Sequence, residues 1–80
     1  MKTIPVEDKW AHLECAVCPC KARRRTPRDS AGQVFVFLCE EHSALGPAEI
    51  AAGTRRKYGM TEKAESDLLE RLTDYVARTS

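Results

Sequence analysis

Two short cysteine and histidine pairs constrain the fold of this chain more than any other feature of its sequence. The first pair is Cys15 and Cys18 and the second is Cys39 and His42, each with two residues between its members. A gap of two residues lets a tight turn direct both side chains at one ion, and Zn2+ takes four such ligands in tetrahedral geometry. The spacing therefore predicts one structural Zn2+ bound by Cys15, Cys18, Cys39 and His42.

A metal would supply stability that a chain of this size lacks. The 80 residues allow one domain, and a domain this small buries only about 60% of the surface that its unfolded chain exposes. Hydrophobic residues make up 42% of the chain, but ten of them are Ala and four are Cys, so few large side chains remain for a core. Small domains commonly add a metal, a disulfide or a partner chain. We therefore expect the metal-free chain to be largely unfolded.

Other interpretations of the cysteines remain open. Two disulfides would need an oxidising compartment, and the first ten residues lack the apolar segment of a secretion signal. A redox C-x-x-C motif belongs to a βαβ unit, which this pattern does not offer. Cys20 is predicted to be a small buried residue at the start of a strand, and His12 a surface or packing residue, although either could replace one of the four ligands.

Net charge and hydropathy narrow the choice of partner and compartment. The formal net charge is +1, so bulk charge does not drive the chain onto nucleic acid or a membrane. No apolar run approaches the roughly 20 residues of a membrane helix. We therefore expect a cytoplasmic protein with no membrane partner.

The stretch between the two ligand pairs is predicted to form a β-hairpin. Residues 21–26 alternate between two faces, and residues 33–39 include five consecutive β-forming apolar side chains. Asp29, Ser30 and Gly32 supply turn chemistry between these strands. A hairpin that leaves the first pair and returns to the second would bring the four ligands together.

Two helices are predicted after the second ligand pair. Pro47 suits the first position of a helix over residues 47–57, and Gly59 is its predicted C-cap. Thr61 can cap a last helix, in which apolar side chains recur at steps of three and four residues.

The predicted fold class is therefore α+β, a small zinc-stapled β-hairpin followed by two helices. Within one domain, residues 1–9 are interpreted as an N-terminal arm and residues 10–45 as the zinc-binding hairpin module. Residues 46–80 are interpreted as a C-terminal helical segment that packs on that module.

The order of these motifs resembles a treble-clef zinc finger. The residues that carry the resemblance are Cys15 and Cys18 before the hairpin, and Cys39 and His42 after it, where a helix would begin. The resemblance implies a structural Zn2+ and the fold around it, but this superfamily has many functions. The Gly-Pro step at residues 46–47 departs from the family pattern, so a zinc ribbon, with its second pair on another hairpin turn, is the structural alternative.

The favoured functional hypothesis is a protein-binding adaptor or regulator. Small zinc domains serve as rigid mounts for a helix, and the last helix carries an apolar stripe. Leu68, Leu72 and Tyr75 are its candidate contacts with an unidentified protein partner or, by self-association, with a second copy. For the stripe itself we favour packing on the hairpin inside the domain, and both interpretations can hold together.

The second hypothesis is a nucleic-acid-binding zinc finger. Five of the thirteen basic residues lie between positions 21 and 28, and three more are consecutive at positions 55–57. Such side chains can bind phosphates, although a charged edge strand also discourages pairing with other chains. The candidates are Lys21, Arg23, Arg24, Arg25, Arg28, Arg55, Arg56 and Lys57. We favour a protein partner because the acids of the last helix would repel phosphates.

Catalysis is not expected. Some nucleases hold a metal in a unit that is similar to a treble clef, but they need a histidine as general base and an open metal position. Here His42 is assigned to the metal and His12 stands alone. A site with four protein ligands is closed to substrate.

Overall fold

Three short antiparallel strands and two helices make up the fold in the computed structural model, which describes residues 1–28 and 32–79. The strands lie side by side in the order β1 (Ile4–Pro5), β2 (Arg24–Arg25) and β3 (Phe37–Leu38). The helices are α1 (Pro47–Tyr58) and α2 (Glu62–Thr79), and two short 3-10 turns cover Asp8–Trp10 and His42–Ala44. The predicted α+β class, with a hairpin and two helices, is confirmed.

β2 and β3 form the predicted hairpin, but each strand is shorter than the sequence pattern indicated. Arg24 lies opposite Leu38 in antiparallel register. Beyond β2, the Thr26 hydroxyl accepts the backbone N–H groups of Phe35 (2.8 Å) and Val36 (3.2 Å). A side-chain oxygen here takes the place of a strand carbonyl, which interrupts the regular ladder before Arg28 pairs with Val34. Two of the predicted turn residues lie outside the described ranges: Asp29 and Ser30.

The N-terminal arm contains a strand that the sequence pattern did not indicate. Ile4 pairs with Arg25 and places β1 at the edge of the sheet, and the Val6 N–H donates to the Arg23 carbonyl at 3.0 Å. Proline is tolerated on an edge strand because its missing N–H is not needed there. A strand of two residues, one of them Pro5, leaves no alternation in the sequence to recognise.

Local capping residues set the bounds of both helices. α1 begins at Pro47 and is followed by Gly59, whose φ of 65° is left-handed and whose N–H donates to the Arg55 carbonyl. The Thr61 hydroxyl then accepts the Ala64 N–H at 3.1 Å, which caps α2. These bounds agree with the predicted ones to within a residue at the end of α1.

The core contains side chains from one strand, both helices and the ligand region. Leu38 of β3, Ile50 of α1 and Leu72 of α2 are fully buried, and Cys15 belongs to the same buried cluster. The apolar core is thus continuous with the predicted metal site. None of the helices in residues 1–28 and 32–79 has the length and apolar character that a bilayer span requires.

Candidate metal centre

The four predicted ligands come together in the structure. The Cys15, Cys18 and Cys39 sulfurs and a His42 ring nitrogen all lie within 4.8 Å of one another. The Cys18 and Cys39 sulfurs are 3.7 Å apart, and the Cys15 sulfur is 3.8 Å from His42 Nδ1. A tetrahedral Zn2+ with sulfur ligands at about 2.3 Å places neighbouring sulfurs about 3.8 Å apart. The cluster therefore has the dimensions of a tetrahedral metal site with three sulfurs and one nitrogen.

The hairpin positions the two ligand pairs as the sequence predicted. Cys39 directly follows β3, and His42 opens the 3-10 turn that comes next, with its Nδ1 3.1 Å from the Cys39 sulfur. The first pair lies on the loop before β2, which we call the knuckle (residues 15–18). This loop is held to β3 because the Ala16 N–H donates to the Phe37 carbonyl at 2.9 Å.

The surroundings of Cys15 favour its metal-binding form. Burial raises the pKa of this thiol, but backbone N–H groups of Val17, Cys39 and Cys18 and the ring of His42 lower it more, so that the pKa falls to about 7. The Val17 N–H lies 3.4 Å from the sulfur. Burial is the first cause that raises the pKa of the Cys18 and Cys39 thiols. The thiolate is the form that binds metal, so Cys15 is the best prepared of the three.

Lys57 fastens α1 to the knuckle. Its ammonium group donates to the carbonyls of Cys15 (2.6 Å) and Cys18 (2.9 Å) and to the Glu14 carboxylate (2.9 Å). The bond with Glu14 is the largest cause that raises the pKa of Lys57, which keeps the amine charged. The three N–H donors of the ammonium group thus have three acceptors, two of which are backbone carbonyls of predicted metal ligands.

A glycine lets the same helix approach the knuckle closely. A Cβ atom on Gly53 would lie 2.5 Å from Cγ1 of Val17, which is far inside van der Waals contact. The sequence shows this residue only as a weak point of α1. A glycine inside a helical pattern is also a signal of close packing, and that signal could have identified the contact.

Neither of the two alternative ligands belongs to the cluster among the described residues. His12 is exposed, and its carbonyl accepts a bond from the Lys21 ammonium group at 3.2 Å. The prediction that Cys20 is buried is wrong, because its side chain is exposed. Its backbone carbonyl instead accepts the Cys15 N–H at 2.8 Å and closes the knuckle.

Several of the basic candidates are paired inside the protein. Arg25 is only 6% exposed, and its Nε donates to the Glu7 carboxylate at 2.9 Å, which lowers the pKa of Glu7 to about 2. Arg55 pairs with Glu65 at 2.8 Å. Lys57 is engaged at the knuckle. These three cations are therefore paired within the chain.

The other basic candidates include one half-buried and four exposed side chains. Arg24 is half-buried and donates to the Thr3 carbonyl at 2.8 Å. The exposed ones are Lys21, Arg23, Arg28 and Arg56.

The candidate partner stripe of α2 faces the interior. Leu72 is fully buried and Tyr75 is 7% exposed, and Leu68 is partly buried against the core cluster. The Tyr75 ring lies 5.4 Å from that of Phe35. These contacts are the ones expected if the stripe packs on the hairpin inside the domain.

No family model, curated protein or solved structure matches the chain in the comparisons made with known proteins.

Proposed function

We propose that this chain is a small interaction module that a structural Zn2+ holds together and that binds a protein partner. The observation that carries the metal part of the proposal is the cluster of three sulfurs and one imidazole nitrogen within 4.8 Å. Thiolate and imidazole ligands in a tetrahedral arrangement suit Zn2+. Cys15 and Cys39 are buried in this cluster, and both also belong to the apolar core.

A structural role for the ion follows from the number of its ligands. Four protein ligands fill a tetrahedral coordination sphere and leave no open position for water or substrate. The knuckle, the hairpin and the ligand turn follow one another as in a treble clef, and this order supports an arrangement similar to one. The last ligand lies on a 3-10 turn, and α1 starts only at Pro47.

The pairing of the basic side chains favours a protein partner over nucleic acid. Binding to a phosphate backbone needs several cations that can replace counterions. Arg25, Arg55 and Lys57 are instead paired with carboxylates of the same chain. The charge that the sequence concentrates in two clusters is thus partly neutralised inside the domain.

The metal is tested first. We expect protein purified without added metal to contain one Zn2+ per chain by elemental analysis, and Co2+ substitution to give thiolate-to-cobalt charge-transfer absorption. In Cys39→Ser both signals should fall sharply, whereas Cys20→Ser should keep them. A fold that stays intact after chelation with EDTA, with no zinc detected, would overturn the proposal.

The partner is tested by capture. The Cys20→Ser/Ser66→Cys protein is first loaded with zinc, which protects the three ligand thiols, and is then labelled with biotin at exposed position 66. It is incubated with extract from its source, with and without nuclease. We expect a specific protein that resists nuclease and is lost with the additional Cys39→Ser change. Capture that nuclease abolishes, or capture of no specific protein, would contradict a protein partner.

A further inference from the structure

A cleft of about 330 Å³ lies where the N-terminal arm, the hairpin and the end of α2 meet. This volume is at the lower end of the range of ligand pockets, which is about 300–1,000 Å³. It is separate from the metal centre, and none of the four ligands lines it. The residues that matter for its chemistry are Lys2, Arg28, Phe35, Asp74, Tyr75 and Arg78.

Two aromatic rings form the apolar part of the cleft. The Phe35 and Tyr75 ring centroids are 5.4 Å apart with the rings tilted by 48°. Phe35 is only half-buried, and the Tyr75 hydroxyl is fixed because it donates to the Lys2 carbonyl at 3.2 Å. This part of the cleft is therefore an apolar surface with a defined shape, next to the N-terminal arm.

Cations from three separate elements line the cleft together with these rings. Lys2 comes from the arm, Arg28 from the hairpin and Arg78 from α2, and all three are exposed. Asp74 is the one acid among the described residues that line the cleft, and it pairs with Arg78 at 3.0 Å. Counting these four side chains, three positive charges and one negative charge leave a net charge of +2.

We propose that this cleft binds an acidic segment of the protein partner, with a carboxylate at the cations and an apolar side chain on the aromatic rings. The inference rests on the proposed function, because it names the chemistry of that partner. Charge complementarity supports an anionic occupant, and the volume suits one or two side chains. Asp74 lines the cleft and Glu70 lies one turn before it on α2, so a run of continuous phosphates would meet more repulsion there than one carboxylate placed at the cations.

The probe is an acetylated and amidated hexapeptide that alternates Glu and Leu, titrated into zinc-loaded protein and followed by backbone amide NMR shifts. We expect shifts around residues 2, 28, 35 and 74–79 that weaken as salt is added. A matched peptide with Lys in place of Glu, and a six-residue oligothymidylate, serve as comparison ligands and should not shift these amides.

Two variants with the same change in net charge locate the binding. Lys2→Gln/Arg78→Gln removes two cleft cations, and we expect binding of the acidic peptide to weaken about fivefold, as for the loss of two exposed charge pairs. Arg23→Gln/Arg56→Gln removes two exposed cations that do not line the cleft, and we expect a change of less than about twofold.

Three results would overturn the cleft proposal. They are the absence of shifts with the acidic peptide, an equal loss of affinity in both double variants, and stronger shifts at the cleft with the oligonucleotide. A captured partner that binds Lys2→Gln/Arg78→Gln as well as the original chain would also refute it, but would leave the proposed function intact. Failure of the capture experiment itself would refute the proposed function.

Discussion

The metal centre and the cleft both contain basic side chains, but they use them differently. At the metal centre, Lys57 turns inward, and its three donors meet two backbone carbonyls and the carboxylate of Glu14. At the cleft, Lys2 is exposed and Arg78 has 74% of its side chain in solvent. A cation whose donors are all taken by acceptors of the same chain is committed to the fold, whereas an exposed cation at an open cavity is available for recognition. Whether a basic residue stabilises the fold or is available for recognition therefore depends on its position in the fold and not on its residue type.

The largest effect should come from the metal itself. Structural zinc sites contribute about 10–16 kcal/mol of apparent binding free energy in finger peptides, and whole domains are stable by roughly 5–15 kcal/mol. We expect EDTA, or the change Cys39→Ser, to unfold both regions together, as measured by loss of amide NMR dispersion. Cys20→Ser is the matched control and should keep the fold. Retention of the cleft signals without metal would show that the two regions fold independently.

Loss of the Lys57 ammonium group should have the next largest effect. Lys57→Met leaves the carbonyls of Cys15 and Cys18 without their donor, and unpaired buried polar groups cost about 1–3 kcal/mol each. We expect the free energy of unfolding of the zinc-loaded protein to fall by about 2 kcal/mol in urea titrations. The neighbouring exposed change Arg56→Met should alter it by less than about 0.5 kcal/mol. Equal effects of the two changes would show that the contacts of Lys57 add no more stability than an exposed surface cation does.

Gly53→Ala tests the close approach of α1 to the knuckle. Alanine improves helix propensity by about 1 kcal/mol, but overpacking against Val17 costs about 1–3 kcal/mol. We expect a net loss of about 1 kcal/mol in unfolding free energy. The double change Gly53→Ala/Val17→Ala should recover part of this loss in a double-mutant cycle. A stabilised Gly53→Ala protein would mean that the helix and the knuckle can separate without cost.

Glu7→Gln tests whether the ion pair between Glu7 and Arg25 stabilises the fold, as the contacts of Lys57 are expected to do. Pairing with Arg25 lowers the pKa of Glu7 from 4.5 to about 2. The carboxylate therefore contributes stability that is present above pH 4.5 and is lost as the pH falls toward 2. We expect Glu7→Gln to be less stable than the original chain, by an amount that stays constant from pH 7 to about 5.5. Glu40→Gln, at an exposed position, is the control, and an equal response of both variants would contradict the assignment.

The smallest effect on stability should come from the cleft cations. Lys2→Gln/Arg78→Gln removes one exposed ion pair, and such pairs contribute about 0–1 kcal/mol. We expect its urea midpoint to lie close to that of the original chain, while acidic peptide binding weakens. A large loss of stability would show that these cations, like Lys57, serve the fold.

The features that the sequence predicted correctly are those with local causes. The ligand pairs depend on a spacing of two residues, and the ends of α1 and α2 depend on Gly59 and Thr61, which act within one turn. Lys57 contacts Cys15 and Cys18, which lie 42 and 39 positions before it in the sequence. Nothing in the sequence around Lys57 distinguishes it from Arg56. The prediction for Cys20 is wrong because the general tendency of cysteine to be buried does not hold for a residue in a tight exposed turn.

The bond between the Tyr75 hydroxyl and the Lys2 carbonyl places the beginning of the described chain beside the last turns of α2. Polypeptide joined to either end would emerge next to the cleft. A purification tag there would compete with a bound segment or cover it. Affinity measurements on this molecule therefore call for tag-free protein or for labels attached at Ser66.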